Sequence, residues 1–204
     1  MRNCVQIEMT DLKNTKGEVV IVSGPSGVGK STLCKEIVKR LAHVHLSVSM
    51  TTRPKSAAEV DGREYWFVSK KEFEKRIDEG LLLEHAEVFG HFYGTPKDKV
   101  TDALAEGKTV ILEIDVQGAI QAKAVFPDAV MIFILPPSAK TLAERLDHRG
   151  RDTADAAEIR LNGASDEIAA AWQHYKHMVI NEDLQQAVNE CVQIITDKKS
   201  DASA

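Results

Sequence analysis

A glycine-rich turn between an apolar run and a helical pattern is the feature that most constrains the fold of this chain. The turn reads GPSGVGKS over residues 24–31, and it follows the apolar run EVVIVS at residues 18–23. It satisfies the pattern GxxxxGK[ST] in the expected setting, after a strand and before a helix. Glycines let the backbone wrap closely around phosphate oxygens, and the N-terminus of the following helix directs N–H groups at them. The turn therefore predicts a nucleoside triphosphate site.

The polar side chains of this turn have separate predicted roles. Lys30 can reach the β- and γ-phosphates, and the Ser31 hydroxyl can bind Mg²⁺ together with phosphates and waters. A glycine-rich turn without a ligand is the alternative, and the complete motif in its strand-to-helix setting disfavours it. The ATP-binding residues predicted here are Gly24, Pro25, Ser26, Gly27, Val28, Gly29, Lys30, Ser31 and Thr32.

The rest of the chain alternates short apolar runs with amphipathic helical patterns, which is typical of a parallel sheet with crossover helices. Strands are predicted at 18–23, 45–50, 109–114, 129–135 and 177–180. Helices are predicted at 30–41, 116–125, from the prolines after 135 to about 146, and at 183–196. Two regions, 51–93 and 148–172, break the alternation and are predicted to be insertions. Ser69 followed by Glu72 predicts a capping box in the first of them.

Composition narrows the classes of partner. The 204 residues carry a net charge of −5, which disfavours general binding to nucleic acid or to an anionic membrane. No apolar run approaches the ~18 residues of a membrane-spanning helix. The three cysteines, Cys4, Cys34 and Cys191, have no metal-binding spacing. We therefore expect a cytoplasmic protein with reduced thiols and small-molecule ligands.

Two carboxylates lie at the carboxyl end of the predicted strand at 109–114, one inside it and one just after it. Glu113 and Asp115 come at its carboxyl end, the edge at which open α/β sheets bind ligands. Asp115 is a candidate for holding Mg²⁺ through water or for contacting a substrate, and a turn residue is the alternative. The phosphate turn alone leaves ATPase, GTPase and kinase open, although the absence of an NKxD run disfavours a GTPase.

The segment SVSMTTRP, residues 47–54, suits a second substrate. Ser49 can hydrogen-bond a nucleobase, and Arg53 can bind a phosphate through two hydrogen bonds. Glu84 lies among apolar residues, and a carboxylate that accepts two N–H donors selects guanine over adenine. Tyr65 and Tyr93 offer hydroxyl donors. Taken one at a time, these residues fit core packing or a solvated strand equally well.

The sequence closely resembles the guanylate kinase family. The matching runs occur in the family's order from Gly17 to about Thr196, and they are SGPSGVGKST, SVSMTTRP, EVDGREYWFVS, EHAEVFGHFYGTP, ILEIDVQGA, FILPPS and VINEDL. The resemblance implies Mg²⁺-dependent transfer of the ATP γ-phosphoryl group to GMP, and to dGMP, giving ADP and GDP. It implies an α/β fold of the P-loop nucleoside monophosphate kinase type, with a parallel sheet flanked by helices, a small mixed α/β GMP-binding insertion and a helical lid.

The resemblance also implies a domain order and site roles. The core would cover 17–52, 96–147 and 174–197, the GMP-binding insertion 53–95 and the lid 148–173, with tails at 1–16 and 198–204. The residues implied to face guanine or its ribose are Ser49, Glu84, Thr95 and Asp115. Those implied at the GMP phosphate are Arg53, Tyr65 and Tyr93, and Glu113 falls at an acidic position of the family. Arg149 and Arg160 match lid arginines, Arg145 lies near the nucleotide, and Asn181 belongs to the segment beside adenine. The implied catalytic set is Lys30, Arg53, Arg149 and Arg160.

One position departs from the family pattern. The family has a second arginine three residues after the first, where this chain has Ser56. Lys55 or Arg63 is the candidate replacement for its charge, and we expect weaker GMP binding. Two other functions stay open at this point, a catalytically weak peptide-binding module of the same fold and a ribose-phosphate kinase. The oligomeric state is expected to be a monomer or a homodimer.

Overall fold

The computed structural model describes residues 17–88, 90–147 and 154–201, with side chains omitted at 147, 154–162 and 198–201. Its elements in chain order are β1 (Glu18–Ser23), α1 (Lys30–Arg40), β2 (Val44–Leu46), β3 (Met50–Thr51), β4 (Trp66–Phe67), α2 (Lys70–Asp78), β5 (Leu82–Val88), β6 (His91–Pro96), α3 (Lys97–Ala105), β7 (Thr109–Glu113), α4 (Val116–Val125), β8 (Val130–Leu135), α5 (Ala139–Asp147), α6 (Ala154–His174), β9 (His177–Ile180) and α7 (Leu184–Asp201).

A five-stranded parallel sheet has β1 at its centre, in the order β2-β7-β1-β8-β9. Side chains alternate along β1, so Val19 and Ile21 face one side of the sheet and Val20 and Val22 the other. The first side packs against α3, α4 and α6, and the second against α1 and α7. Helices on both faces explain why this strand is apolar from Val19 to Val22, and the predicted α/β fold is confirmed.

A four-stranded mixed sheet forms the second layer, in the order β4-β3-β6-β5. The prediction of a single strand at 45–50 is wrong, because two strands, β2 and β3, occupy this region. Strand β2 pairs with β7 in the first sheet, whereas β3 pairs with β4 and β6 in the second. The backbone N–H of Ser47 still donates to Ile111, and the carbonyl of Ser49 already accepts from Trp66. The chain thus changes sheets within an apparently continuous run. Local sequence did not predict this, because it cannot show which distant strand each half of the run joins.

The capping box predicted at Ser69 and Glu72 is confirmed in its Ser69 half, while the Glu72 carboxylate accepts from Arg76 at 3.3 Å. Helix α2 begins after Ser69, whose side chain accepts a 3.2 Å hydrogen bond from the Glu72 backbone N–H. The final helix, α7, continues to Asp201 and so includes part of the segment predicted as a tail from 198. Residues 1–16 and the charged turn at 148–153 lie outside the described residues. None of the described helices is both long and apolar enough to cross a membrane.

Candidate active site

A cavity of about 950 Å³ lies where the carboxyl ends of β1, β2 and β7 meet the second sheet. The parallel strands contribute the glycine-rich turn and the residues that follow β2 and β7, while β5 and β6 contribute the opposite wall. The cavity brings together most of the site residues predicted from sequence, namely Gly24, Ser26, Gly27, Gly29, Lys30, Ser31, Ser49, Arg53, Tyr65, Glu84, Tyr93, Glu113 and Asp115.

The glycine-rich turn connects β1 to α1. Gly27 and Gly29 have φ values of +88° and +101°, which side-chain-bearing residues rarely adopt, so the tight turn requires glycine there. The ammonium of Lys30, the first residue of α1, bends back over the turn and donates to the carbonyls of Gly24 and Pro25, the latter at 3.0 Å. Its positive charge therefore lies at the N-terminus of the helix, where an anion is favoured.

A hydroxyl and a carboxylate meet beside this turn. Ser31 Oγ donates a 2.6 Å hydrogen bond to Oε1 of Glu113, the last residue of the neighbouring strand β7. Two residues further, Asp115 caps α4 by accepting a 2.8 Å hydrogen bond from the Gly118 backbone N–H. Burial raises the pKa of Asp115. Oxygen donors on two adjacent strand ends fit a hard divalent cation such as Mg²⁺.

Glu84 lies on β5 with only 3% of its surface exposed. Its Oε1 accepts a 2.6 Å hydrogen bond from the Thr95 hydroxyl, and Thr95 is fully buried. Burial raises the pKa of Glu84 to about 7, and the nearby Asp115 carboxylate adds to the rise. A Cβ at Gly118 would overlap with Oε2 of Glu84, so α4 approaches the carboxylate through bare backbone. Glu84, Thr95 and Asp115 therefore lie together, and their predicted place beside guanine or its ribose stays a prediction.

Arg53 lies at the other end of the cavity among aromatic rings. Its guanidinium is 5.5 Å from the Tyr65 ring centre and 5.7 Å from that of Phe67, and the Tyr65 and Tyr93 rings meet edge to face at 5.8 Å. Glu59 pairs with both terminal nitrogens of Arg53, at 2.6 and 3.2 Å. The hydrogen bond to Glu59 raises the pKa of Arg53, which burial would lower.

The structure separates the two candidate replacements for the family's second arginine. Arg63 lines the cavity, with its Nε 2.7 Å from the Glu64 carboxylate. The Arg63 and Lys55 side chains are both exposed, but Lys55 is not part of the cavity lining, and its ammonium donates to the Glu59 backbone carbonyl at 3.2 Å. The Ser56 hydroxyl donates to Glu59 Oε2 at 2.8 Å. Arg63 is therefore the better placed of the two cations.

Arg145 and Asn181 support the glycine-rich turn from behind. The Asn181 amide donates to the Val28 carbonyl at 2.8 Å, and Arg145 donates to the carbonyls of Val28 and Asn181 at 3.3 and 3.0 Å. A side chain at Gly29 would meet the Asn181 amide nitrogen at 2.7 Å. Arg149 lies outside the described residues, as does the side chain of Arg160 on α6.

Three acidic residues of the cavity, Glu59, Glu64 and Glu167, were missed by sequence reasoning. Glu59 follows Arg53 by six residues across a turn, and no local pattern links the two. Glu167 lies on α6 and lines the cavity, where burial raises its pKa to about 7. Its helix has an alanine-rich, polar pattern that resembles a solvated face, so periodicity alone does not single out this carboxyl.

A phosphate-binding turn on the central strand, facing a second wall with an arginine, two tyrosines and a buried carboxylate, defines a nucleoside monophosphate kinase. The guanylate kinase family model matches residues 16–198, and the chain belongs to that family. It is 47% identical to guanylate kinase of Carboxydothermus hydrogenoformans over 90% of each chain. It is also 47% identical to guanylate kinase of Synechocystis over 93% of this chain and 98% of the relative.

Solved structures agree with this assignment. The structure resembles guanylate kinase from Anaplasma phagocytophilum with a TM-score of 0.74 and 31% identity, over 91% of this chain and 87% of the other. It also resembles a gluconokinase from Sinorhizobium meliloti with a TM-score of 0.52 and 16% identity, over 94% and 98% of the two chains. The second likeness is one of fold alone.

Proposed function

We propose that this chain transfers the γ-phosphoryl group of ATP to GMP or dGMP, giving ADP and GDP or dGDP. The observation that carries the proposal is that Lys30 of the phosphate turn and the buried carboxylate of Glu84 line one cavity. A donor phosphate and an acceptor base therefore have separate binding groups that face the same space. Family membership supports the same reaction.

Glu84 would select the base. Guanine presents its N1–H and its exocyclic amine side by side, and an ionised carboxylate accepts both, whereas adenine presents no such pair. Thr95 holds one carboxylate oxygen, which fixes the orientation of the group. Ser49 lines the cavity and Asp115 lies beside Glu84, so both would serve the base or the ribose.

Arg53, Tyr65 and Tyr93 would hold the acceptor phosphate. The aromatic rings restrict the guanidinium, and charge-assisted hydrogen bonds to phosphate are stronger than neutral ones. We propose that Arg63 supplies part of the charge that the family's second arginine would give, because it lines the same cavity. Arg63 also pairs with Glu64, so it replaces only part of the charge of the missing arginine. GMP binding would therefore be weaker than with arginine at position 56.

Phosphoryl transfer requires in-line placement and stabilisation of negative charge, with little covalent chemistry by the protein. No side chain is therefore proposed as nucleophile or general base. Lys30 would move from the turn carbonyls to the β- and γ-phosphates, while Asn181 and Arg145 hold the turn in shape. By resemblance to the family, Arg149 and Arg160 would close on the phosphates and exclude water, which otherwise hydrolyses ATP.

Mg²⁺ is the proposed metal. The Ser31 hydroxyl and the Glu113 carboxylate, 2.6 Å apart, would hold it, with Asp115 acting through water. Bound Mg²⁺ would neutralise charge on the β- and γ-phosphate oxygens. The described residues contain no group of three or more side chains suited to hold a metal by themselves, so phosphates and waters would complete its ligands. Chelation with EDTA should abolish turnover, and added Mg²⁺ should restore it.

The deciding experiment is a coupled assay of ADP release with GMP, dGMP, AMP, UMP and ribose phosphates as acceptors. We expect turnover with GMP and dGMP, and a kcat/KM at least about a hundredfold lower for the others. Preference for a ribose phosphate would instead identify a ribose-phosphate kinase. Peptide binding without turnover would identify the binding module, which the complete phosphate turn disfavours. The cytoplasmic location, the monomeric or dimeric state and the domain boundaries stay predictions.

A further inference from the structure

The carboxylate of Glu59 is engaged on both oxygens. Oε1 accepts from Nη2 of Arg53 at 2.6 Å. Oε2 accepts from Nη1 of Arg53 at 3.2 Å, from the Ser56 backbone N–H at 2.9 Å and from the Ser56 hydroxyl at 2.8 Å. The hydrogen bond from Arg53 is the main reason that the pKa of Glu59 is lowered to about 2.

The loop around Glu59 is closed by further contacts. The Glu59 backbone N–H donates to the Ser56 carbonyl at 3.1 Å, and the Lys55 ammonium donates to the Glu59 carbonyl at 3.2 Å. The Arg53 and Glu59 side chains are 24% and 11% exposed, whereas the Arg76–Glu72 pair on α2 is 33% and 49% exposed. The Arg53–Glu59 pair is therefore better shielded and better fixed than an ordinary surface ion pair.

We propose that Glu59 is a positioning residue for the phosphate acceptor, which holds the Arg53 guanidinium in place and is itself held by Ser56. The inference rests on the proposed function of the cavity. Glu59 accepts one N–H from each terminal nitrogen of the guanidinium, and Nη1 also donates to the Pro54 carbonyl at 2.9 Å. Of the five donors of arginine, the one on Nε and the second on Nη2 therefore stay available to Tyr93 and to a phosphate. In this chain the residue at position 56 thus serves Glu59 rather than the substrate.

Fixing the arginine has an energetic reason. A free arginine loses side-chain entropy when it is ordered. The contacts to Glu59 and to the Tyr65 and Phe67 rings order Arg53 before the substrate arrives. The carboxylate also neutralises part of the guanidinium charge. In a second model Glu59 therefore competes with the incoming phosphate, and removing its carboxylate would lower the KM for GMP.

The test compares Glu59→Gln with the wild-type chain in the ADP-release assay. We expect the KM for GMP to rise about tenfold, because a displaced arginine meets the phosphate in poor geometry. The KM for ATP and the inhibition constant of guanosine, which lacks the phosphate, should not change. Glu72→Gln, which removes the carboxylate of an exposed Glu–Arg pair outside the cavity, is the matched control and should leave all three constants unchanged. An unchanged or lower KM for GMP in Glu59→Gln would overturn the inference.

A double variant separates positioning from a general structural effect. If Glu59 acts through Arg53, then Arg53→Gln and Arg53→Gln/Glu59→Gln should have the same KM for GMP, and independent, additive losses would contradict the proposal. If Glu59→Gln does not fold, Ser56→Ala is tested instead. We expect it to raise the KM for GMP about twofold, and an unchanged KM for GMP would refute the proposal. A wild-type chain without GMP-dependent ADP release would refute the proposed function itself, whatever the variants do.

Discussion

The Thr95 hydroxyl donates a 2.6 Å hydrogen bond to Oε1 of Glu84, and both residues are buried. The contact joins β6 to β5, two neighbouring antiparallel strands of the second sheet. It fixes a carboxyl group whose pKa burial raises to about 7. The group proposed to recognise guanine therefore changes its charge near neutral pH.

The first prediction concerns pH and catalysis. The protonated carboxyl of Glu84 cannot accept both N–H donors of guanine, so kcat/KM for GMP should fall as the pH is lowered through about 7. The KM for ATP should change less than kcat/KM for GMP over the same pH range. Initial rates between about pH 5.5 and pH 8.5 measure both constants. Because Glu167 also has a pKa near 7, Glu167→Gln is the control, and it should retain the GMP profile.

The second prediction separates acceptor from donor. In Glu84→Gln the amide offers N–H donors toward the N–H donors of guanine, and we expect kcat/KM for GMP to fall about a hundredfold. ATP binding, measured by calorimetry without acceptor, should be nearly unchanged. Equal losses for both nucleotides would argue against Glu84 as the residue that recognises the base.

The third prediction concerns stability. The pKa of Glu84 is about 7 in the folded chain against an ordinary value of 4.5, so the folded state binds more protons between these values. The free energy of unfolding therefore falls as the pH rises from about 4.5 to about 7, because the folded state loses this bound proton. Above about pH 7 the group lowers it no further. Glu84→Gln should stabilise the unliganded protein at high pH, by up to about 3 kcal/mol, and much less at low pH. Thermal unfolding near pH 8 and pH 5 compares the two conditions, and an equal shift at both would refute the explanation.

The fourth prediction concerns the phosphate turn. Lys30→Ala removes the ammonium that lies over the Gly24 and Pro25 carbonyls, and kcat should fall about a thousandfold. Lys39→Ala on the same helix is a suitable control, because Lys39 is an exposed residue paired with Glu36. Near wild-type turnover in Lys30→Ala would remove the central role assigned to this residue.

The fifth prediction concerns the departure from the family pattern. Ser56→Arg places a second guanidinium next to Glu59 and should lower the KM for GMP about three- to tenfold, through one further charge-assisted hydrogen bond. The inhibition constant of guanosine should stay the same, since the change affects only the phosphate end. An unchanged or higher KM would contradict the expectation that Ser56 weakens GMP binding.

Local pattern was sufficient for part of the fold. The apolar run of β1 and the glycine-rich turn before α1 are encoded within a few residues of each other, and the structure has both where the sequence predicts them. The change of sheet between β2 and β3 depends on pairing with Ile111 and Trp66, which lie far along the chain, and periodicity carries no information about such pairing.

The same distinction holds for the site. Residue chemistry and resemblance to a family together indicated Glu84 and Arg53, but neither indicated that Glu59 would contact Arg53. That contact depends on the turn at 54–58, which brings the two side chains together. Residues proposed to contact a ligand were thus easier to predict than residues that hold other residues.

The close approach of Gly118 to Glu84 has a consequence for redesign of base selectivity. Backbone rather than a side chain closes the pocket on that side, so any larger residue at 118 displaces the carboxylate. An enlarged residue at 118 alone therefore disturbs Glu84. An adenine-selective variant requires a shorter side chain at 84 together with a new hydrogen-bonding side chain at 118, introduced as a pair.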